Sequence, residues 1–386
     1  MTRPLAIIFL TIFVNLIGFG IIVPLLPFYA ETFGASPLII GLLFAVFSLC
    51  QLVSAPALGD LSDRYGRRPV LVFSLAGTVV SFVMLAAAHS IGMLFAARIV
   101  DGLSGGNIST ARAYVADITG PKDRARAYGL IGAAFGLGFI LGPAISGVLA
   151  HVSYTAPIWA AAAITLVATA MAMLWLPETV HRTHAGTGNP FRYLPELMRR
   201  PIVRRVLAID FLYWFAFSIF QTTFALFAAR RFGLDAPRTG YFLAGFGLLG
   251  AVIQGGMIRP IVRHLGDKPT FRIGLGCASI GLAAAAAVHS VPAFAVSLVP
   301  LAFGIGFGHP TMSSLVSMVA RGDEQGRLQG AASAIESLGR VAGPVWGNAS
   351  LQHAGESIPY VSAAVCLACT LLLSVGFQVT ETHEPA

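Results

Sequence analysis

Charged residues are scarce in this sequence. Asp, Glu, Lys and Arg make up 11% of its 386 residues, whereas a soluble domain carries about 25%. Several long stretches contain none of these four types: 4–30, 32–59, 69–97, 127–177, 211–229, 239–258, 273–320 and 357–380. Because a membrane-spanning helix needs roughly 20 apolar residues, this lack of charge excludes a soluble domain. It predicts a protein that crosses a membrane several times.

Lysine and cysteine are also rare. The only lysines, Lys122 and Lys268, lie outside the G-K-[ST] context of a phosphate-binding loop, which argues against an ATP-driven pump. The pair Cys366-x-x-Cys369 has the spacing of a metal or redox site. Inside a predicted span, however, two cysteines are better explained as small apolar residues. We expect no cofactor and no metal site.

The apolar stretches predict an all-α membrane protein of twelve transmembrane helices. Two stretches, 127–177 and 273–320, are long enough for two spans each, and 91–116 and 328–350 are apolar with isolated charges. The basic residues cluster in alternate loops, which predicts an inner-membrane protein with both termini in the cytoplasm. This placement accounts for the net charge of +8, so we expect a lipid bilayer around the protein and no nucleic-acid partner.

Short internal repeats divide the chain into two halves. AAAHS at 86–90 returns as AAVHS at 286–290, RYGRRP at 64–69 aligns with HLGDKP at 264–269, and GFILGPAISG at 138–147 aligns with GRVAGPVWG at 339–347. We therefore predict two pseudo-symmetric six-helix bundles, 1–176 and 202–386, joined by a cytoplasmic linker over 177–201. Repeat transporters of this kind bind substrate near the bilayer midplane and expose it alternately to each side.

The loop GDLSDRYGRRPVL at 59–71 concentrates charge between two apolar runs. Gly66 permits a sharp turn, and the arginines could act simply as a topology signal. GDLSDRYGRRP resembles the loop signature of the major facilitator superfamily, and GLGFILGPAISG resembles the helix 5 motif of its antiporters. Over residues 15–150 the chain is similar to tetracycline exporters and related drug–proton antiporters. The resemblance implies transport, multidrug efflux and antibiotic resistance rather than enzymatic activity.

The resemblance also assigns roles to two groups of residues. A gating latch would comprise Asp63, Arg64, Gly66, Arg67 and Asp117, with Asp63 facing a helix N-terminus in the second half and Arg67 pairing with Asp117. The antiporter motif would comprise Gly138, Gly142, Pro143 and Gly147, where small residues allow close helix packing and proline bends the helix.

Ionisable residues inside the predicted spans are candidates for proton coupling: Arg98, Asp101, Asp210, Glu336 and Arg340. Such residues are costly in a bilayer and usually face a partner or an aqueous cavity. Arg98, Asp101 and Arg112 are spaced to share one helix face. Arg98–Asp101 and Glu336–Arg340 could equally be local pairs that neutralise themselves. Tetracycline exporters have an acidic residue where Asn15 stands and an aspartate in helix 3, which moves coupling here onto Asp101, Asp210 or Glu336.

A substrate cavity is predicted from Asn15, Tyr213, Trp214, Phe217 and Gln221. Its aromatic face and nearby acids suit amphipathic cations, although the same aromatics could face lipid. We expect a monomeric, proton-coupled exporter of amphipathic drug-like compounds whose partners are a small-molecule substrate and protons. The alternative is an importer or facilitator of a small metabolite with the same fold.

Overall fold

The computed structural model describes residues 3–105, 107–119, 121–179, 190–320 and 324–375, and within these ranges it contains helices and no strand. Up to the middle of the chain the helices are α1 (Arg3–Glu31), α2 (Pro37–Tyr65), α3 (Arg67–Ala86), α4 (Ile91–Ser104), α5 (Asn107–Ile118), α6 (Pro121–Leu149), α7 (Ala156–Trp175) and α8 (Pro190–Met198). The remainder are α9 (Pro201–Phe232), α10 (Ala236–Val252), α11 (Ile258–Leu265), α12 (Asp267–Ala287), α13 (Val291–Met318), α14 (Gln325–His353) and α15 (Ile358–Val375). A π-helical turn, Ile253–Met257, joins α10 to α11.

Ten helices in the described ranges are long and apolar enough to cross a membrane. They coincide with the charge-free stretches of the sequence. The two remaining predicted spans fall on α4 with α5, which are separate helices of 14 and 12 residues, and on α14, which has 29 residues but carries three charged side chains. The protein is therefore an all-helical membrane protein, and the twelve-helix layout in two bundles stays a prediction.

The chain divides into two compact units. The first comprises Met1–Gly188 with Thr222–Leu248, and the second comprises Asn189–Gln221 with Leu249–Ala386. Helices α9 and α10 thus contribute to both units. The predicted division into 1–176, a linker and 202–386 stays a prediction. One element of the predicted linker is helical, since α8 covers Pro190–Met198.

Local signals repeat between the two halves of the chain. Ser90 Oγ accepts a hydrogen bond from the Met93 amide at 3.3 Å, and Ser290 Oγ accepts one from the Ala293 amide at 3.4 Å. Each serine thereby caps the N-terminus of its helix, α4 or α13. Gly66 and Gly266, which precede α3 and α12, have φ values of 111° and 82°. Only glycine adopts such angles without strain.

Glycines of α6 and α14 make matching contacts within their own units. A Cβ added to Gly142 would lie 2.6 Å from Gly20 Cα of α1. A Cβ added to Gly343 would lie 2.6 Å from the Phe215 carbonyl oxygen of α9. In both cases a helix backbone occupies the space that a side chain would need. This shared packing supports the internal repeat read from the sequence.

The packing of α6 on α1 gives a stability prediction. Gly142→Ala should destabilise the protein by about 1–3 kcal/mol, because the added methyl group meets backbone that cannot rotate away. Gly132→Ala in the same helix is the matched control, since a Cβ there meets nothing within 4 Å. Thermal unfolding in detergent measures both variants. Equal melting temperatures for Gly142→Ala and Gly132→Ala would contradict the packing described here.

Candidate functional site

The loop between α2 and α3 forms a charged network within the first unit. Arg67 pairs with Asp63, and its Nε donates to Asp117 Oδ2 at 3.1 Å. Its Nη1 also donates to Ser62 Oγ at 2.9 Å. The structure thus brings together Arg67 and Asp117, as the sequence predicted. Asp117 is partly exposed, and an ion pair near the surface contributes only about 0–1 kcal/mol. The network therefore depends on several contacts rather than on the Arg67–Asp117 pair alone.

Glu178, which the sequence interpretation missed, caps α3. Its Oε1 accepts from the Arg67 amide at 2.9 Å and its Oε2 from the Arg68 amide at 3.1 Å. A carboxylate at a helix N-terminus satisfies amides that lack partners within the helix and interacts favourably with the helix dipole. A Cβ on Gly66 would collide with this carboxylate. In the sequence, the signal for this contact was a glutamate that directly follows the apolar run 127–177 and lies opposite the basic loop.

The other residues of the loop have separate positions. Arg64 is exposed, so within its own unit it fits a topology signal better than a buried contact. Arg68 donates to the Met173 carbonyl oxygen near the end of α7. Asp63 is buried; its predicted contact with a helix N-terminus of the second half stays a prediction.

Arg98 and Asp101 form a buried pair in α4. Arg98 Nη1 lies 2.9 Å from Asp101 Oδ2, and the two residues are 1% and 7% exposed. The guanidinium lies over the Phe47 ring with Cζ 4.1 Å from the centroid, and Thr78 hydrogen-bonds Asp101. Among the described residues, Arg98 Nε and Nη2 have no hydrogen-bond partner. The opposite charges of Arg98 and Asp101 neutralise each other, but these two N–H groups of Arg98 have no acceptor among the described residues.

The helix that carries this pair is interrupted, which corrects the expectation of one continuous helix face. Helix α4 ends at Ser104 and α5 begins at Asn107. Polar side chains of α2 satisfy carbonyl groups at the interruption: Gln51 Nε2 donates to the Gly105 oxygen, and Ser54 Oγ donates to the Gly102 oxygen, both at 3.0 Å. Arg112, beyond the interruption, is exposed while Arg98 and Asp101 are buried, so the three do not share an environment.

Asp210 is the buried carboxyl group of the second unit. It lies on α9, is 0% exposed, and has no hydrogen-bond partner for either oxygen among the described residues. Its nearby charges are Glu336 and Arg340 of α14. An isolated buried carboxylate costs on the order of several kcal/mol. The structure therefore assembles Asp210, Glu336 and Arg340, three of the predicted coupling residues, in one place.

The aromatic residues predicted to line a cavity surround His309 of α13. The ring centroid of His309 lies 5.4 Å from Tyr213, 4.8 Å from Trp214 and 5.0 Å from Phe217. Arg340 Cζ lies 5.4 Å from the Trp214 centroid. Tyr213 is only 2% exposed. Within the second unit these rings thus pack on a histidine and an arginine rather than on lipid alone.

The remaining predicted cavity residues have less defined surroundings. Asn15 of α1 and Gln221 of α9 are both half-buried. The predicted cavity draws Asn15 from the first unit and the aromatic residues from the second, so it stays a prediction.

The glycine motif of α6 is a helix-packing surface. Gly138 contacts α1, since an added Cβ would lie 2.6 Å from Leu16 Cβ. Farther along, Gly147 packs on α10: a Cβ on Gly240 would lie 2.7 Å from Gly147 Cα. Pro143 is buried inside α6 between these contacts. All of these contacts lie within the first unit.

Comparison with known proteins identifies the family. The family model for the Major Facilitator Superfamily matches residues 8–344 and 257–386. This chain belongs to the Major Facilitator Superfamily. The roles that the resemblance assigns to the loop and to the glycine motif stay predictions. Members of the Major Facilitator Superfamily are carriers that move solutes across membranes. This chain is likewise a carrier rather than an enzyme.

Relatives of this superfamily chain include named drug-resistance proteins. It is 34% identical over 353 residues to the tetracycline resistance protein, class G, of Vibrio anguillarum, covering 89% of each chain. It is 29% identical over 377 residues to multidrug resistance protein 1 of Bacillus subtilis, covering 97% of this chain and 96% of the relative. These relatives support the drug exporter class.

A solved structure agrees with the same assignment. The crystal structure of the human organic anion transporter MFSD10 is 25% identical and has a TM-score of 0.75, covering 96% of this chain and 99% of that one. With the candidate spans, these similarities establish an integral membrane protein whose substrate is a small molecule.

The cap on α3 gives a testable prediction. Glu178→Ala should lower the free energy of unfolding by about 0.5–2 kcal/mol, since two helix amides lose their acceptor. The stability of Glu178→Gln should lie between that of Glu178→Ala and that of the wild type. Glu196→Ala, at an exposed position of α8, is the matched control. Thermal unfolding in detergent measures the series. A Glu178→Ala melting curve that superimposes on that of Glu196→Ala would remove the cap from this description.

Proposed function

We propose that this carrier is a proton-coupled exporter of amphipathic drug-like compounds that works by alternating access. The observation that carries the proposal is the similarity to tetracycline and multidrug resistance proteins over about nine-tenths of the chain or more. The proposed setting is the inner membrane, with both termini cytoplasmic, and the protein acts as a monomer. No nucleic acid takes part.

Buried charges support the proposed proton coupling. Each unit contains a buried carboxyl group near an arginine: Asp101 with Arg98, and Asp210 with Arg340. Buried carboxyl groups without enough hydrogen-bond donors bind protons in preference to remaining charged. Asp210 is the stronger candidate, because Arg98 already balances Asp101 through a direct contact. Glu336 adds a second carboxyl group to the Asp210 site.

Aromatic rings beside these acids support an amphipathic cation as substrate. Trp214 and Phe217 are half-buried and contact each other, and the Trp214 ring lies 5.4 Å from Arg340 Cζ, whose charge also acts on Asp210. An organic cation loses hydration when it leaves water, and an aromatic face can restore about 0.5–2 kcal/mol. A proton and a cationic substrate would then compete for the same negative charge, which is the simplest physical basis for antiport.

An organic anion is the second candidate substrate. MFSD10, to which this chain is similar, is named an organic anion transporter. Arg98 is buried with two N–H groups that have no partner among the described residues, and such groups could receive a carboxylate. Export of a cation and export of an anion move charge across the membrane in opposite directions. One assay that measures this movement therefore distinguishes the two substrates. A facilitator of small metabolites would move substrate without moving protons.

Proteoliposomes with an enclosed pH-sensitive dye test the proposal directly. Addition of ethidium, an amphipathic cation, or of tetracycline should produce a ligand-dependent proton flux, and an imposed pH gradient should drive ethidium accumulation. Fluorescein as the anionic probe tests the second candidate. Ligand movement without proton flux for all three probes would reject coupling and favour a facilitator.

Neutralising the buried acids should separate coupling from substrate movement. We expect Asp210→Asn to abolish gradient-driven ethidium accumulation, because a neutral amide cannot bind and release the proton, while ethidium exchange without a gradient continues. Asp101→Asn and Glu336→Gln complete the series, and Asp235→Asn is the control at an exposed position. If all three buried variants accumulate ethidium like the control, none of these acids couples transport to protons.

The charged loop gives a second prediction about transport. If the Asp63–Arg67–Asp117 network holds one end state of the cycle, Asp63→Asn should lower ethidium transport at least several-fold. A latch need hold only a few kcal/mol, since both states must be populated, so expression and insertion should remain near the wild-type level. Glu196→Gln, at an exposed position of α8 outside the loop, is the control. Wild-type transport by Asp63→Asn would exclude a latch.

A further inference from the structure

A π-helical turn interrupts the long apolar helix that spans Ala236–Leu265. Helix α10 ends at Val252, and α11 continues after the turn. In the turn the Ile258 amide donates to the Ile253 carbonyl oxygen, five residues back, instead of to a carbonyl oxygen four residues back. Such turns are rare inside α-helices and are frequent at functional sites.

The local sequence explains why the helix is interrupted here. Pro260 has no amide hydrogen, so it cannot donate to the carbonyl oxygen of Gly256, and its ring crowds that oxygen. Gly255 and Gly256 are poor helix formers, so the backbone before the proline leaves α-helical geometry at little cost. The proline removes one helical hydrogen bond, and the glycine pair permits the change that follows.

The first half of the chain provides an internal comparison. Helix α2 precedes Gly66 as α11 precedes Gly266, and it also contains a proline, Pro56. The four residues before that proline, 52–55, include no glycine. Helix α2 is uninterrupted over its 29 residues. A proline alone therefore does not produce the turn, whereas a proline that follows a glycine pair does.

The turn is held on one side and unobstructed on the other. Ile253 is buried, and a Cβ added to Gly306 of α13 would lie 2.7 Å from its Cγ2. Gly255 and Gly256 are exposed, and a Cβ at either position meets no described atom within 4 Å. None of the eight residues of α11 is buried. The backbone of the glycine pair can therefore change its dihedral angles without meeting a neighbouring side chain.

We propose that this turn, residues 253–257, is a hinge at which the helix bends during the transport cycle. The helix belongs to the first unit up to Leu248 and to the second unit from Leu249, so the turn follows shortly after the passage from one unit to the other. Ile253 anchors the turn, and the glycine pair absorbs the change in φ and ψ, as hinge residues do. The inference rests on the alternating access of the proposed function.

Hydrogen exchange tests the hinge without any substrate. Amides of a segment that opens locally exchange faster than those of an intact helix. In detergent, the segment 255–262 should exchange at least about tenfold faster than the segment 240–250 of the same helix. Gly255→Ala combined with Gly256→Ala should slow this exchange, because alanine favours the α-helix. Equal exchange of the two segments in the wild type, or an unchanged rate in the alanine variant, would overturn the proposal.

Transport gives a readout that separates movement from binding. Gly255→Ala combined with Gly256→Ala should slow ethidium transport in proteoliposomes at least about fivefold, because each alanine stabilises the helical geometry that the hinge must leave. Ethidium binding in detergent should stay unchanged. Gly245→Ala combined with Gly250→Ala is the matched control, since both glycines lie in α10 and a Cβ at either position meets no described atom within 4 Å.

The outcomes distinguish the hinge from the proposed function. Equal transport rates for the two alanine pairs would reject the hinge and leave the exporter intact. Absence of ethidium transport in the wild type would reject the exporter, while hydrogen exchange would still decide whether the turn opens. Pro260→Ala provides a second variant if the glycine variants do not fold. It restores the missing amide donor, so it should slow both hydrogen exchange and transport, and wild-type rates for both would overturn the proposal.

Discussion

The cost of placing charge in a low-dielectric environment governs this protein. A charge inside a bilayer needs a partner, a cavity or a bound proton, and the chain obeys this constraint throughout. Most charged residues lie outside the apolar helices, where they form networks such as that of Arg67. Those within them are few and grouped: Arg98 contacts Asp101, and Asp210 lies near Glu336 and Arg340. Because so few charges are buried, each is a strong candidate for function.

The two units compensate differently for the free-energy cost of burying a charge. In the first, a direct ion pair supported by Phe47 and Thr78 neutralises the charge of Asp101. In the second, both oxygens of Asp210 have no hydrogen-bond partner in the described part of the chain. An ion pair whose charges neutralise each other favours one conformation. A buried carboxyl group without a hydrogen-bond partner instead favours binding a proton or a ligand. This difference is the reason that the proposed coupling lies chiefly in the second unit.

The sequence predicted well those features that arise from local pattern. Charge-free stretches located the apolar helices, because length and hydropathy suffice for a span. The approach of Arg67 to Asp117 and the packing of Gly138 and Gly142 came from motifs whose chemistry is short-range or shared across the superfamily. Serine caps and glycine contacts recur at matching positions of the two halves of the sequence, and the two-bundle layout stays a prediction.

Features that depend on distant parts of the chain could not be predicted in this way. Glu178 lies more than a hundred positions after the amides it caps, and nothing in its neighbourhood reveals that contact. His309 lies in a long charge-free stretch of the sequence, where nothing nearby shows that the fold encloses it among rings of α9. The interruption at Gly105 was hidden in an apolar run, where a glycine pair is also compatible with a continuous helix.

Proton release on ligand binding would show whether a buried acid of this carrier exchanges a proton for a cation. Purified protein in weakly buffered detergent solution is titrated with ethidium while the pH is recorded. We expect release of about one proton per bound cation near neutral pH, because a cation would displace a proton from a buried carboxyl group. A variant lacking both the Asp210 and the Glu336 carboxyl groups should release none. Binding of ethidium to the wild type with no change in pH would contradict this expectation.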